Sequence, residues 1–355
     1  MSFITNIRSV AKYESKILVR SWFFRIFTLL AVVFLGFFNF AMMLMEDNFG
    51  LWFAKSVSSN IPYLNLLLLN TGQAVVAVFL SSEFLKRDKK LDTSEVFYVR
   101  PLSNAEYVVG KIWGNLRVFL FLNLLVLAIV LAFNFMASGV TVDLPAYLVY
   151  FFLISIPTLI FIIGLSIFLM LLLKNQALTF ILLLGYIGLT LFYIQDKFYY
   201  LFDYMVYNLP LFKSTIVGFS NLELILNHRA IYFFAGLGFI FFTIFLFKRL
   251  PNARRSHYPW LFLSFCMFLL MVTAGFRHVR SILREGEMRA LYTSINNKYV
   301  YEPKMAIDYY DISVEQKSET IRSVVGMEGT ALAASEVFIF CLNPGLRVEE
   351  VKDGE

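Results

Sequence analysis

Seven stretches of the chain, at about 21–45, 61–84, 105–135, 146–173, 177–194, 230–247 and 260–276, are apolar almost without interruption. A bilayer core about 30 Å thick needs roughly 20 apolar residues in helix. Backbone polar groups find no water there, so each run predicts a helix that satisfies its own amides. The flanking patterns differ. Within residues 1–20, Ile4, Ile7, Val10, Ala11, Ile17 and Leu18 recur at helical spacing, with the cations on the remaining face. Either this is the ordinary start of the first span or it is an amphipathic helix in the headgroup layer. The second is favoured, with a turn into the membrane at "RSWFFR" (20–25), where Trp22, Phe23 and Phe24 suit an interfacial belt.

Beyond the last run, "RHVRSILREGEMRALY" (277–292) predicts a polar helix leaving the membrane. Tyr310, Ile312 and Val314 then alternate, Ile321, Val324 and Val325 follow, and "SEVFIFCLNPGLRVEEV" (335–351) predicts two strands around Asn343-Pro344-Gly345. Asp353-Gly354 is a hairpin signal without a following strand. Three or four strands bury too little sheet to stand alone. Residues 277–355 are therefore expected to be an incomplete β-domain, the front of a longer protein or a truncated product.

Composition agrees with a membrane protein: 59% hydrophobic, 18% aromatic and 16% charged residues, 40 of them phenylalanine. A soluble domain carries about 25% charged residues. The +6 net charge is read against the membrane. Cations gather before the first run (Arg8, Lys12, Lys16, Arg20), between the second and third, at Lys174, and in "KRLPNARRSHYP" (248–259). The alternate connections hold only Lys55, then none at 137–145, then Lys197, Lys213 and Arg229. The positive-inside rule places the amino terminus in the cytoplasm and the tail outside. The fold class is an all-α polytopic membrane protein of about seven transmembrane helices with a small C-terminal extracytoplasmic β-rich segment. Two cysteines in unlike surroundings give no disulfide framework, and no cleavable signal peptide is evident.

The connection at 82–104 holds the densest charge, Lys86, Arg87, Lys89 and Lys90, and two helix-start signatures. Asp92-Thr93-Ser94-Glu95 has the form of a capping box, in which side chains at each end satisfy the other's free amide. A short helix follows until Pro101 excludes the helical region at Arg100. Ser103-Asn104-Ala105-Glu106 repeats the device into the third span. Val96, Phe97 and Tyr98 are apolar for a connector. They lie on the bilayer surface, or they dock a cytoplasmic partner.

This arrangement resembles the permease subunits of ABC-2 type ATP-binding-cassette exporters of bacterial inner membranes. The match covers roughly residues 1–250: the amphipathic lead-in, and a loop pattern met by Glu83, Asp92, Thr93, Glu95, Pro101, Ser103, Gly110 and Lys111, with Phe97 and Arg100 between them. Asp92 stands where that pattern usually has glycine. The resemblance implies a six-span domain at 21–250, a coupling helix seated in a separate cytoplasmic ATPase subunit that binds the ATP, and a permease homo- or heterodimer in membrane lipid. It also implies short re-entrant helices at 195–229, a stretch too apolar for a free loop and too broken by Pro210 and Gly218 for a span. An amphipathic belt helix is the other reading. "LNPGLRVEEV" weakly resembles the amino-terminal β-domain of gluzincin-type zinc aminopeptidases, without the zinc motif.

Inside the spans, Asn65, Asn70 and Gln73 either line a pathway or bond between helices, and Asn123 reads as interhelical. Arg117 is expected to snorkel. Gly185 with Gly188, and Gly236 with Gly238, read as close-packing points. No G-x-x-x-x-G-K-S/T loop is present, and the histidines His228, His257 and His278 are scattered, so neither an enzyme, a resident cofactor or metal, nor a nucleic-acid binder is expected. Two functions remain besides a permease: a membrane anchor for an aminopeptidase-like outer domain, and an assembly factor.

Overall fold

A computed structural model describes residues 3–44, 57–82, 102–136, 141–209, 211, 213–214, 218–219, 221–247, 258–302, 304–317, 320–335, 337–340, 342 and 346–352. Its helices are α1 (Phe3–Arg20), α2 (Trp22–Leu44), α3 (Asn60–Ser82), α4 (Asn104–Met136), α5 (Leu144–Tyr150), α6 (Ile156–Leu173), α7 (Gln176–Leu189), α8 (Leu222–Leu246) and α9 (Tyr258–Lys298). One π-helical turn, Phe151–Ser155, joins α5 to α6, and another, Thr190–Ile194, extends α7. Seven helices are long and apolar enough to cross a membrane. The protein is mostly helical, with seven candidate spans and a small sheet in its tail.

Two compact units are present: Met1–Thr215 with Phe219–His278, and Ile216–Gly218 with Val279–Glu355. In the first, α3, α4, α5–α6 and α8 are the most deeply covered, and α2, α7 and α9 the least. Its centre is filled by Leu66, Phe119, Tyr150, Ile154, Ile162 and Ile163. α6 crosses α8 at two glycines. A Cβ on Gly164 would stand 2.7 Å from the Gly236 oxygen, and one on Gly236 2.7 Å from the Ile160 carbonyl. Gly238 likewise lies under the Phe268 ring. Gly185 and Gly188 differ from expectation, since nothing lies within 4 Å of where their Cβ would be.

Three sequence boundaries move. The sixth span starts at Leu222, because His228 and Arg229 are buried helical residues rather than parts of a polar connection. The seventh run and the polar stretch after it form one helix, α9. Among the described residues of 335–351 no strand is formed. The strands of the second unit are β1 (Met305–Lys317) and β2 (Thr320–Ala331), an antiparallel pair with a bulge at Ile307/Tyr309. Each uses its ladder on the other. Pairing puts Tyr310 opposite Met327 and Ile312 opposite Val325 on one face, and Glu315 opposite Arg322 on the other.

Candidate functional site

The sequence points to the loop before α4. Glu83, Asp92, Thr93, Glu95, Phe97, Arg100 and Pro101 lie outside the described residues; Ser103, Gly110 and Lys111 lie within them. The second capping box is formed. The Ser103 amide donates to Glu106 Oε2 at 2.6 Å, and the Glu106 amide donates to Ser103 Oγ at 3.2 Å. Two of the free amides at the helix start are thereby satisfied. The other Glu106 oxygen, Oε1, accepts from Asn6 Nδ2 of α1 at 2.8 Å. Asn104 Nδ2 donates to the Phe247 carbonyl at 2.6 Å, and the Tyr107 ring stacks on Phe247.

From there α1 lies along the first turns of α4. Gly110 and Gly114 allow the approach: a Cβ on either would sit 2.7 Å from the Cβ of Val10 or Glu14 respectively. Lys111 Nζ stands 3.8 Å from Glu14 Oε2, with both side chains nearly fully buried. Ser15 Oγ donates to the Gly114 carbonyl at 2.6 Å. Arg117 does not run free to a membrane surface. Its Nε donates to Ser15 Oγ at 2.5 Å and its Nη2 to the Ala11 carbonyl at 2.8 Å. The stripe that α1 buries is Ala11, Glu14, Ser15 and Leu18, while Ile4 is 74% exposed. Sequence reasoning missed Asn6, Glu14 and Ser15. The available signal was Glu14, an acid alone on a basic helix.

At the other end of these helices the chain between the fifth and sixth spans enters the bundle. Ser59 Oγ donates to the Lys213 carbonyl, Tyr63 OH to the Val206 carbonyl, and Thr71 Oγ1 meets Tyr207 OH. Ser59 and Thr71 are twelve residues apart, about 18 Å along α3, so the segment runs beside α3 over that length. Phe198, Tyr199, Tyr200 and Val206 have positive φ (52°, 60°, 63° and 67°). Such residues cost about 1–3 kcal/mol each and persist only when their surroundings hold them. Here side chains clasp consecutive carbonyls. His278 Nε2 reaches the Tyr199 oxygen at 2.9 Å, His228 Nε2 the Tyr200 oxygen at 3.0 Å, and Tyr232 OH the Leu201 oxygen. A carbonyl only accepts, so both histidines carry hydrogen on Nε2. Tyr150 OH donates to the Leu211 carbonyl at 2.6 Å. Lys213 pairs with Asp143 at 2.7 Å, which joins this segment to the connection before α5.

Asp203 caps the turn inside the segment, accepting from the amides of Tyr207 (3.0 Å) and Asn208 (2.8 Å). Burial pushes its carboxyl above the ordinary carboxylate value, against the pull of those amides and of the Arg229 charge.

The polar residues of α3 face other helices. Asn65 pairs with Asn39 of α2, each amide donating to the other's oxygen at 2.7 and 3.1 Å. Asn70 Nδ2 donates to Asn123 Oδ1 (3.1 Å) and Ser155 Oγ (3.2 Å), and Asn123 Nδ2 donates to Gln73 Oε1 (2.8 Å). All are essentially inaccessible. Asn70, Gln73, Asn123 and Ser155 form an interhelical network with Asn123 at its hub. Among the described residues no group of three or more His, Cys, Asp or Glu side chains could hold a metal ion.

No known protein family and no curated protein matches the chain.

Proposed function

We propose that this chain is the permease subunit of an ABC-2 type exporter, working as a homo- or heterodimer. Its amino terminus and loop 82–104 face the cytoplasm, where a separate ATPase subunit binds ATP and grips the loop. The observation that carries this reading is the fastening of α1 to the first turns of α4. A grip on a loop moves a span only when the loop leads into a stiff body. The Ser103–Glu106 box and the α1 seam make such a body out of the helix that follows the loop. The segment beside α3 at the other end of the spans supports the same reading: irregular backbone at membrane depth is tolerated where protein covers it or a pathway runs. The weakly covered α2, α7 and α9 leave surface for lipid or a second subunit.

The test is co-expression with a P-loop ATPase subunit, which the permease reading places in a neighbouring reading frame. Glu95→Arg and Phe97→Asp are expected to abolish co-purification and stimulated ATP hydrolysis while thermal stability stays the same. Unchanged co-purification refutes the grip.

A second reading is favoured by the β1–β2 hairpin, whose apolar face, Tyr310, Ile312, Val325 and Met327, is exposed. A two-stranded hairpin is marginal alone. In this reading the spans also carry an extracytoplasmic sheet-bearing domain.

A further inference from the structure

Arg8, Lys12, Lys16 and Arg20 stand four residues apart along α1, and all four are exposed. At 1.5 Å per residue the row is about 18 Å long, with roughly one cation to each turn. Thr5 and Ser9 lie exposed among them. The helix has one acid, Glu14, and it sits on the opposite face, buried beside Lys111. Among the described residues none of the four cations forms an ion pair. Like charges one turn apart destabilise a helix. An anionic partner laid along the row removes that cost.

Position decides which anion. One residue, Ser21, separates Arg20 from Trp22, where the candidate span α2 begins. The joint is bonded: the Ser21 amide donates to the Ile17 carbonyl at 3.0 Å, the Arg25 amide to the Ser21 carbonyl at 3.1 Å, and Arg25 Nε to the Val19 carbonyl at 3.0 Å. Trp22 is 75% exposed and suits the headgroup level. Every cation of the row is then within about 20 Å of the point where α2 would enter lipid. The apolar stripe of α1 is spent elsewhere. Ala11 and Leu18 are buried, and Val10 lies against Gly110 of α4. The helix expected from sequence sinks that stripe into the bilayer, whereas this one turns a cationic face outward.

We propose that Arg8, Lys12, Lys16 and Arg20 form a binding surface for the phosphate headgroups of anionic lipids, held by charge without insertion of the apolar stripe. The other face of α1 is fastened to α4 through Glu14–Lys111, Ser15–Gly114 and Ala11–Arg117. Lipid held on α1 therefore also steadies the first turns of α4. The proposal involves no ATPase and stands apart from the transport reading.

The test uses the purified full chain in neutral detergent with an equal mixture of phosphatidylglycerol and phosphatidylcholine of the same chain length, bound lipids being counted by native mass spectrometry. The wild type is expected to hold the anionic lipid over the neutral one by about fivefold, the worth of one cation at an anionic surface. Arg8→Gln, Lys12→Gln, Lys16→Gln and Arg20→Gln together should bring the ratio to about one, and exposed substitutions of this kind leave stability nearly unchanged. The matched control changes Arg280, Arg284, Arg289 and Lys298 of α9 to glutamine, which removes the same charge from another exposed stretch; it should keep the wild-type ratio. A wild-type ratio near one, or an unchanged ratio in the α1 variant, overturns the proposal. An equal loss in the control overturns the assignment to α1. Displacement of the lipid by inorganic phosphate at equal concentration overturns the lipid as occupant. Amide exchange at residues 104–117 should slow when the anionic lipid binds, and an unchanged rate there overturns the link to α4.

Discussion

Replacing Gly114 by alanine probes the seam on which the proposed force transmission would depend. The added methyl would meet Glu14 Cβ at 2.7 Å, the Ala11 oxygen at 2.9 Å and Ala11 Cα at 3.2 Å. Two of these are backbone atoms, so a rotamer change cannot clear them. Ordinary contact begins at 3.4 Å, so α1 must move away by about 0.7 Å at the closest point. The same shift stretches Ser15 Oγ–Gly114 O from 2.6 Å and Arg117 Nη2–Ala11 O from 2.8 Å to the edge of hydrogen bonding. Overpacking costs about 1–3 kcal/mol, and each weakened bond about 1 kcal/mol. A local loss of about 2–3 kcal/mol should speed amide exchange in α1 by roughly 30- to 150-fold, at about tenfold per 1.4 kcal/mol. Hydrogen exchange followed by mass spectrometry on peptides from residues 3–20 reads this directly. Gly185→Ala is the control, since its methyl meets nothing within 4 Å; it should leave α1 exchange at the wild-type rate. If Gly114→Ala keeps wild-type protection in α1, the two helices are not one body and the coupling argument fails.

Three more outcomes are expected. Asn123→Leu removes the hub that joins Asn70, Gln73 and Ser155; unfolding in detergent should show a loss of about 1–2 kcal/mol, near the upper end for intramembrane polar contacts, and no loss would refute the network's role. Because burial raises the Asp203 carboxyl above its ordinary 3.8, its favourable contribution is present below that value and fades as pH climbs through the folded one. The melting temperature of the wild type should therefore fall relative to Asp203→Asn as pH rises from 3.8, and parallel profiles would contradict this. A cysteine placed at Ser94 should resist a membrane-impermeant thiol reagent in intact cells and react after permeabilisation; labelling in intact cells reverses the assigned topology.

The elements were legible where the physics is local. The runs that became α2, α3, α4, α5–α6 with the π-helical turn between them, and α7 with the π-helical turn after it matched to within a few residues, because a bilayer-length apolar stretch leaves the backbone no other way to satisfy its amides. The Ser103–Glu106 box was equally readable, since it needs only four consecutive residues. The misjudged parts depend on distant partners. Arg229 reads as a loop cation in sequence, yet the carbonyls of Leu153 and Tyr204, 76 and 25 residues away, make it an interior residue. Arg117 reads as a snorkelling side chain until Ala11 and Ser15 are seen to hold it. The strands expected at 335–351 did not form among the described residues, because alternation is no substitute for a neighbour that completes the ladder.

By itself, the order of residues determined that the chain carries seven helices long and apolar enough to cross a membrane, an amphipathic beginning, a capping box at the start of the third of them, and an irregular stretch between the fifth and sixth. Periodicity and capping act over a few residues, and hydrophobic length is set by the bilayer. Only the tertiary structure decided that α1 is bolted to α4, that the asparagines of α3 bond to other helices, and that the broken segment descends along α3 with its carbonyls held by His278, His228, Tyr232 and Arg229. Those are contacts between side chains and backbone far apart along the chain, and which partner each polar group finds is fixed by packing, which no local pattern encodes.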